Sequence, residues 1–419
     1  MDAAIASAGY SPARSAKAPW FAYAVVWLAM GNAVLRPSAE VPITPFYLLA
    51  PLIVVRLAMS TRWFRSWLLV FVGVALYGLI VGKIFGVPWS MQFAQLAKYL
   101  QLLCFFGLLR WLHEADPHAG KRLTRGVMLL TLLVFIVALW QSLTGLEIPT
   151  VINEESSYWL NTIFFTPNDV ALFLGGVLCI ALTSNASLAT KMLVLLSVTA
   201  LNLRNDAKAI LLATAVMLVM LMILRICALM RLRPWIGLTA LAGLVALVLL
   251  YLGEAEVEVA DTQFNLLALI IEPVQRIISL EAYELQGSIF DRADALIYGL
   301  QAFKSMGYMG LGPGGTVYAL TLPQYELVTA KSLHNALAEI VIEFGPVAVL
   351  VGLIVLVPVW RGLTVKRPSS MDRARLMLFA AAPLLSVSQS SGFISNYAFW
   401  LTAYLIWWPS RKPRHRPTT

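Results

Sequence analysis

Uninterrupted apolar runs constrain this chain more than any other feature. They fall at 19–35, 42–59, 66–86, 91–112, 124–144, 168–184, 186–203, 207–228, 235–252, 335–359, 374–390 and 393–409. Runs of roughly 17–25 residues match the length at which a helix crosses a hydrocarbon core, which predicts about twelve spans. A spanning segment has to satisfy its own backbone polar groups, so only helices and closed barrels cross. Continuous rather than alternating apolar patterning chooses helix. Composition agrees: 59% of residues are hydrophobic and 13% charged, where a soluble chain carries about a quarter charged. The expected fold is an all-α polytopic membrane protein of roughly twelve transmembrane helices. It comprises a helical bundle over 1–252, a loop with helices over 253–334 and further transmembrane helices over 335–419.

Charge sets the expected orientation. The net charge is +9, and the basic residues gather in alternate connections. Arg14 and Lys17 precede the first run, and Arg56, Arg62 and Arg65 follow the second. Arg110, Lys121, Arg122 and Arg125 follow the fourth, and Arg225, Arg231 and Arg233 the eighth. Arg361, Lys366, Arg367, Arg373 and Arg375 follow the tenth, and Arg411, Lys412, Arg414 and Arg416 form the tail. The positive-inside rule places all of these in the cytoplasm, with both termini. No clustered basic surface on a soluble face suggests nucleic acid. Cys104, Cys179 and Cys227 lie in or beside apolar runs without metal or redox spacing and read as small core residues. Residues 1–18 carry no short apolar segment before a small-residue cleavage site, so no cleavable signal peptide is expected.

The opposite side is acidic. Ten carboxylates between Glu254 and Glu326 stand against Arg276, Arg292, Lys304 and Lys331 in the 253–333 connection. A connection of that length is usually functional. The apolar stretch from Asn265 to Leu280 suits a membrane-surface helix. Ile289, Ala293, Leu296, Leu300 and Phe303 recur at amphipathic helix spacing. The glycines of 307–315 lack the Gly-Lys-Ser/Thr of a phosphate loop and read as a flexible turn. No internal repeat is apparent, which weakens a transporter built from inverted halves.

Ser332-Leu333-His334-Asn335-Ala336-Leu337-Ala338-Glu339 is the candidate active site, with Glu343, Phe344, Gly345 and Pro346 following. Ionisable groups are costly at the start of a membrane-length run. His334 is the only one of four histidines on the outer side, and imidazole can accept a proton from an attacking hydroxyl. The bland alternative is a helix N-terminal residue bonding backbone. Asn335 and Glu339, four apart, share a helix face. Arg204 and Lys208 flank the turn between the seventh and eighth runs, where a guanidinium fork matches phosphate oxygens; Asp206 is a competing partner for Arg204. Arg292 follows Gly287-Ser288 beside the loop stripe, with a weak pair to Asp291 or Asp294 as the alternative. Asn168 and Asp169 are expected to cap the sixth run. Lys83 and Lys98 lie near run ends, where they can snorkel. No spacing suits a metal, and no cofactor is expected.

Gly287-Ser288 to Arg292, an amphipathic helix, Gly310 to Gly314, His334-Asn335, Glu339 and Glu343-Phe344-Gly345 together resemble the O-antigen ligase and polysaccharide polymerase superfamily. Arg204 between two runs and Asn168 opening another fit the same pattern, while Leu203 stands where the family more often has Ser. The resemblance implies a GT-C-type, metal-independent inverting glycosyltransferase of the bacterial inner membrane, working at the periplasmic face. Its donor would be an undecaprenyl-diphosphate-linked glycan. Its acceptor would be another lipid-linked repeat unit, giving a polymerase for exopolysaccharide or O-antigen, or lipid A-core, giving a ligase. His334 and Glu339 would be catalytic, and Arg204, Arg292, Lys208 and Asn335 would bind substrate. Membrane lipid, a flippase and a chain-length regulator are the expected partners. The alternative from a different class is a polysaccharide flippase or transporter, and a non-catalytic membrane scaffold would have no use for His334.

Overall fold

The computed structural model describes residues 20–31, 34–35, 44–146, 148, 160, 162–164, 166–205, 207–252, 256–259, 262–265, 275–282, 288–323, 332–387 and 392–407. The elements in order are α1 (Trp20–Met30), α2 (Pro45–Ser60), α3 (Arg62–Phe85), α4 (Trp89–Ala115), α5 (Ala119–Thr144), α6 (Pro167–Thr183), α7 (Leu188–Arg204), α8 (Lys208–Leu229) and α9 (Pro234–Leu252). A two-stranded antiparallel hairpin follows, β1 (Glu256–Val259) pairing β2 (Thr262–Asn265) in the register Glu256 to Asn265. Then come α10 (275–279), α11 (Ser288–Ser305), α12 (Gly315–Ala319), α13 (Ala336–Phe344), α14 (Pro346–Thr364), α15 (Ser370–Val387), α16 (Gly392–Ser395) and α17 (Tyr397–Trp407).

Each apolar run carries helix. Three helices among the described residues are long and apolar enough to cross a membrane: α3, α5 and α8, or up to four if the bent α14 counts as one span. The described part of α1 has 11 residues, about 17 Å of helix against a core of about 30 Å. Large apolar side chains stand on the outside of α3 and α5, such as Leu69, Leu76, Ile80, Leu129, Leu133 and Leu143. That is the surface a helix presents to lipid.

The run 335–359 is not one helix. Gly345 has φ +53 and ψ −132 and ends α13, and Pro346 then opens α14. A Cβ at Gly345 would lie 2.4 Å from the Met309 carbonyl oxygen. Glycine tolerates both the dihedral and the contact, and proline suits the first turn of the next helix.

The main core joins α1, α2, α4–α8, α15 and α17. Polar bonds tie the bundle at both ends. At one end Asn396, the N-cap of α17, donates from Nδ2 to the Asp169 carbonyl at 3.0 Å. Asn205 bonds both the N–H and the carbonyl of Leu160, and Gln141 accepts from the Thr162 N–H. At the other end Tyr23 donates to Asp116 at 2.6 Å and Arg122 pairs with the same carboxylate at 2.9 Å. Arg375 donates there to the carbonyls of Ile406 and Trp407. The cap of α6 is Thr166, not Asn168: its hydroxyl accepts from the Asp169 N–H and donates to Asp169 Oδ2. Asp169 thus stands at the third helical position, where its backbone N–H and its carboxylate both meet the cap hydroxyl.

A second, smaller core lies around α11–α13. Ala295, Ala302 and Phe303 of α11 pack there with Leu311, Ala319, Leu320, Leu333 and Ile342. The buried face of α11 therefore runs through Ala295, Gly299 and Ala302. It is rotated from the expected stripe, in which Leu296 and Leu300 are only half-buried. Close approach explains the rotation, because a Cβ at Gly299 would meet the Leu333 side chain at 2.8 Å. Small residues let the two segments touch. Most of 265–280 lies outside the described residues; α10 shows Ile278 exposed.

Candidate active site

The glycine segment expected to be a flexible turn is wedged into the bundle. Leu311 and Gly312 donate their N–H groups to the carbonyls of Ile342 and Glu343, each at 2.9 Å. Gly312 (φ +81) sits so close to α3 that a Cβ would lie 2.3 Å from Gly82 Cα and 2.7 Å from the Gly78 carbonyl oxygen. A Cβ at Gly78 would in turn meet Pro313 at 2.9 Å. Tyr77 of α3 donates to the Met309 carbonyl at 2.5 Å. Backbone thus packs on backbone, which only glycine allows.

Glu343 anchors this arrangement. It is fully buried, and its Oε1 accepts from the Gly314 N–H at 2.8 Å and from the Thr316 hydroxyl at 3.1 Å. Glu339, 2% exposed, lies one turn earlier on the same face of α13. Lys98 and Tyr99 of α4 oppose both carboxylates within electrostatic reach. Lys98 does not snorkel: it is half-buried and turned towards the acids. Gln92, Gln95 and Tyr99 recur at helical spacing on the same face of α4 (Gln92 and Gln95 buried), and the Tyr99 ring packs edge-on against Phe344 at 5.3 Å.

The segment before α13 holds the expected catalytic residue. Asn335 is the N-cap; its Oδ1 accepts from the Ala338 N–H at 3.1 Å and from the Ser386 hydroxyl at 3.3 Å. Such a cap contributes about 1 kcal/mol, so this amide oxygen is committed to the fold. His334 lies outside the helix, half-buried, with φ +47. A non-glycine residue there costs about 1–3 kcal/mol and persists where its surroundings over-determine it. Here they do, because Leu333 is buried against α11 and Asn335 is bonded to α13 and α15.

The other expected residues stand apart from this centre. Arg204 closes α7 and Lys208 opens α8, both exposed, on opposite arms of the turn rather than on one helix face. Arg292 is exposed on α11, two turns before Gly299 on the same side. Among the described residues, no hydrogen bond or ion pair ties the Arg204 or Arg292 side chain, including to Asp291, Asp294 or His334. Asp206 lies outside the described residues. The structure brings Glu339 together with Glu343, Lys98 and Tyr99, and brings His334 and Arg292 onto the packed elements around α11 and α13. Arg204 and Lys208 belong to a separate turn.

No family model matches the chain, and no curated protein or solved structure matches it.

Proposed function

We propose that the chain is an inner-membrane glycosyltransferase that polymerises undecaprenyl-diphosphate-linked repeat units into exopolysaccharide or O-antigen at the periplasmic face. The observation that carries this reading is the outer end itself. A histidine is held in a strained backbone conformation beside a tightly packed glycine loop, and Arg292 of α11, an element packed against the same segment, has no ion-pair partner among the described residues. Cations of that kind stabilise charge developing on a departing diphosphate. His334 takes the proton from the acceptor hydroxyl as the anomeric carbon inverts, and Arg292 receives the phosphates; a phosphate role for Arg204 and Lys208 rests on the family resemblance alone, since they stand on a separate turn. On this reading the twelve helical runs all cross, the short ones completed by flanking residues. The basic connections face the cytoplasm with both termini.

The test is incubation of purified protein with a lipid-linked repeat unit, with and without lipid A-core. A ladder formed without core supports the polymerase, a shift of core alone supports the ligase, and neither product defeats both. The His334→Ala variant, expressed at the normal level, is expected to make no product. A second reading, a flippase or transporter, is favoured by one observation. Lys98, Glu339 and Glu343 place charges of both signs inside the bundle, where intramembrane ionisable groups mark ion pathways.

A further inference from the structure

Helix α13 is inside out for a helix beside water. Glu339 and Glu343, one turn apart, are buried, while Leu337 and Val341 on the opposite face are 41% and 37% exposed. A helix at a water boundary turns its charged side chains outward and its apolar ones inward. The reverse arrangement suits a helix with protein on one side and hydrocarbon on the other, where ionisable groups face the bundle.

The tip of the glycine segment continues that surface. Tyr308 and Met309 are both exposed. The Met309 carbonyl accepts from Tyr77 of α3 on one side and crowds Gly345, the junction of α13 and α14, on the other. Tyr77, Ile80 and Ile84 share one stripe of α3 by helical spacing, and Ile80 and Ile84 are exposed. On α14 the exposed side chains begin at Val349 and Leu350. The tip therefore sits between the apolar outsides of two membrane-length elements. Depth follows from α3. Tyr77 stands twelve residues beyond Arg65, about 18 Å along a helix, in a core about 30 Å thick. It lies about 9 Å deeper than exposed Lys83, which stacks on Trp89 as residues of the headgroup level do.

Irregular backbone enters that region only where the protein satisfies its polar groups. The donors of this segment are satisfied. The N–H groups of Gly307, Tyr308, Met309, Leu311, Gly312 and Gly315 reach backbone carbonyls, and that of Gly314 reaches Glu343. Pro313 has no N–H, and Gly310, which makes no such bond among the described residues, is buried. A turn in water could leave these groups to the solvent. The nearest charge along the chain is exposed Lys304 in the last turn of α11, whose long stem lets the ammonium reach the headgroups.

We propose that Tyr308, Met309 and the Leu337–Val341 face of α13 lie below the bilayer surface, packed against lipid acyl chains. Together with α3 and α14 they form one lipid-facing surface. This inference does not depend on the glycosyltransferase reading.

Fluorescence quenching of the full-length protein in lipid nanodiscs tests it, since both bilayer faces then meet the buffer. The native cysteines are buried, so a bimane label on an introduced cysteine reports one site. Met309→Cys and Val341→Cys are compared with Leu76→Cys on the exposed side of α3 and with Lys121→Cys, exposed at the start of α5. Phosphatidylcholine brominated on its acyl chains is expected to quench the Met309→Cys and Val341→Cys labels as strongly as the Leu76→Cys label. Iodide in the buffer is expected to quench the Lys121→Cys label alone. Iodide quenching of Met309→Cys to the level of Lys121→Cys puts the tip in water and overturns the proposal. Protection of both labels from both quenchers means that another segment or a partner protein covers the surface, and overturns it as well. Quenching of Val341→Cys but not Met309→Cys by the brominated lipid overturns it for the tip.

Discussion

Replacing Gly312 by alanine tests the wedge directly. Two costs add at this position. The residue sits at φ +81, and a left-handed conformation costs an L-residue roughly 1–2 kcal/mol. The new methyl would also stand 2.3 Å from Gly82 Cα and 2.5 Å from Gly82 N. Those atoms are backbone inside α3, so no rotamer change relieves the clash, and overpacking of this kind costs about 1–3 kcal/mol. The expected total is about 2–5 kcal/mol, enough to shift the loop or unfold much of the protein. Gly307→Ala is the matched control: it has φ +60 but nothing within 4 Å of the added Cβ, so only the first cost applies. Both variants are compared with wild type by thermal unfolding in detergent and by polymer synthesis. Gly312→Ala should fall well below Gly307→Ala in both. Equal behaviour of the two variants would mean that the segment does not press against α3.

If the chain is the polymerase proposed above, Arg204→Lys and Arg292→Lys should each lose most polymer synthesis at normal expression, since a point charge does not replace a planar fork; full activity in membranes would leave both residues without a role in the chemistry. Synthesis should continue after treatment with EDTA; loss of activity restored by a divalent ion would refute metal independence. Asp116 lies in the α4–α5 connection. Its burial alone would raise its carboxyl, but the Tyr23 hydroxyl, the His118 N–H and Arg122 outweigh that and hold it below the usual carboxylate range. Its contribution is therefore full above about pH 4 and fades as pH falls through the depressed folded value. Asp116→Asn should lower the unfolding midpoint at neutral pH and narrow its gap to wild type in acid; a gap constant with pH would refute the assignment.

Helix content was legible because apolar length and continuity are strong, local signals. Breaks and directions were harder to read. Gly345-Pro346 is a stop-and-start pair, yet a continuous apolar run around it outweighs two residues in any hydropathy window, so α13 and α14 merge. Thr166, three residues before Asp169, is itself a cap type, but Asn168 and Asp169 draw attention first as the commoner ones. Lys98 illustrates a different limit. Taken singly it is a lysine near the end of a run; beside Gln92, Gln95 and Tyr99 it belongs to a polar face at helical spacing. That stripe was visible. Its partner, the Glu339–Glu343 face, is more than two hundred residues away in sequence, and no local pattern links the two. The glycines of 310–314 were legible as irregular backbone, but their depth depends on Gly78 and Gly82 of α3, where small residues in an apolar helix look unremarkable.

That last pairing bears on how such a protein can be re-engineered. The long connection between α9 and α13 looks like an interchangeable module, yet its glycines and those of α3 form a single lock cut from two distant stretches of chain. A chimera that transplants only the loop would bring a key without its keyhole. Any exchange that aims to alter specificity has to carry residues 62–85 along with 288–345, or rebuild their shared surface residue by residue.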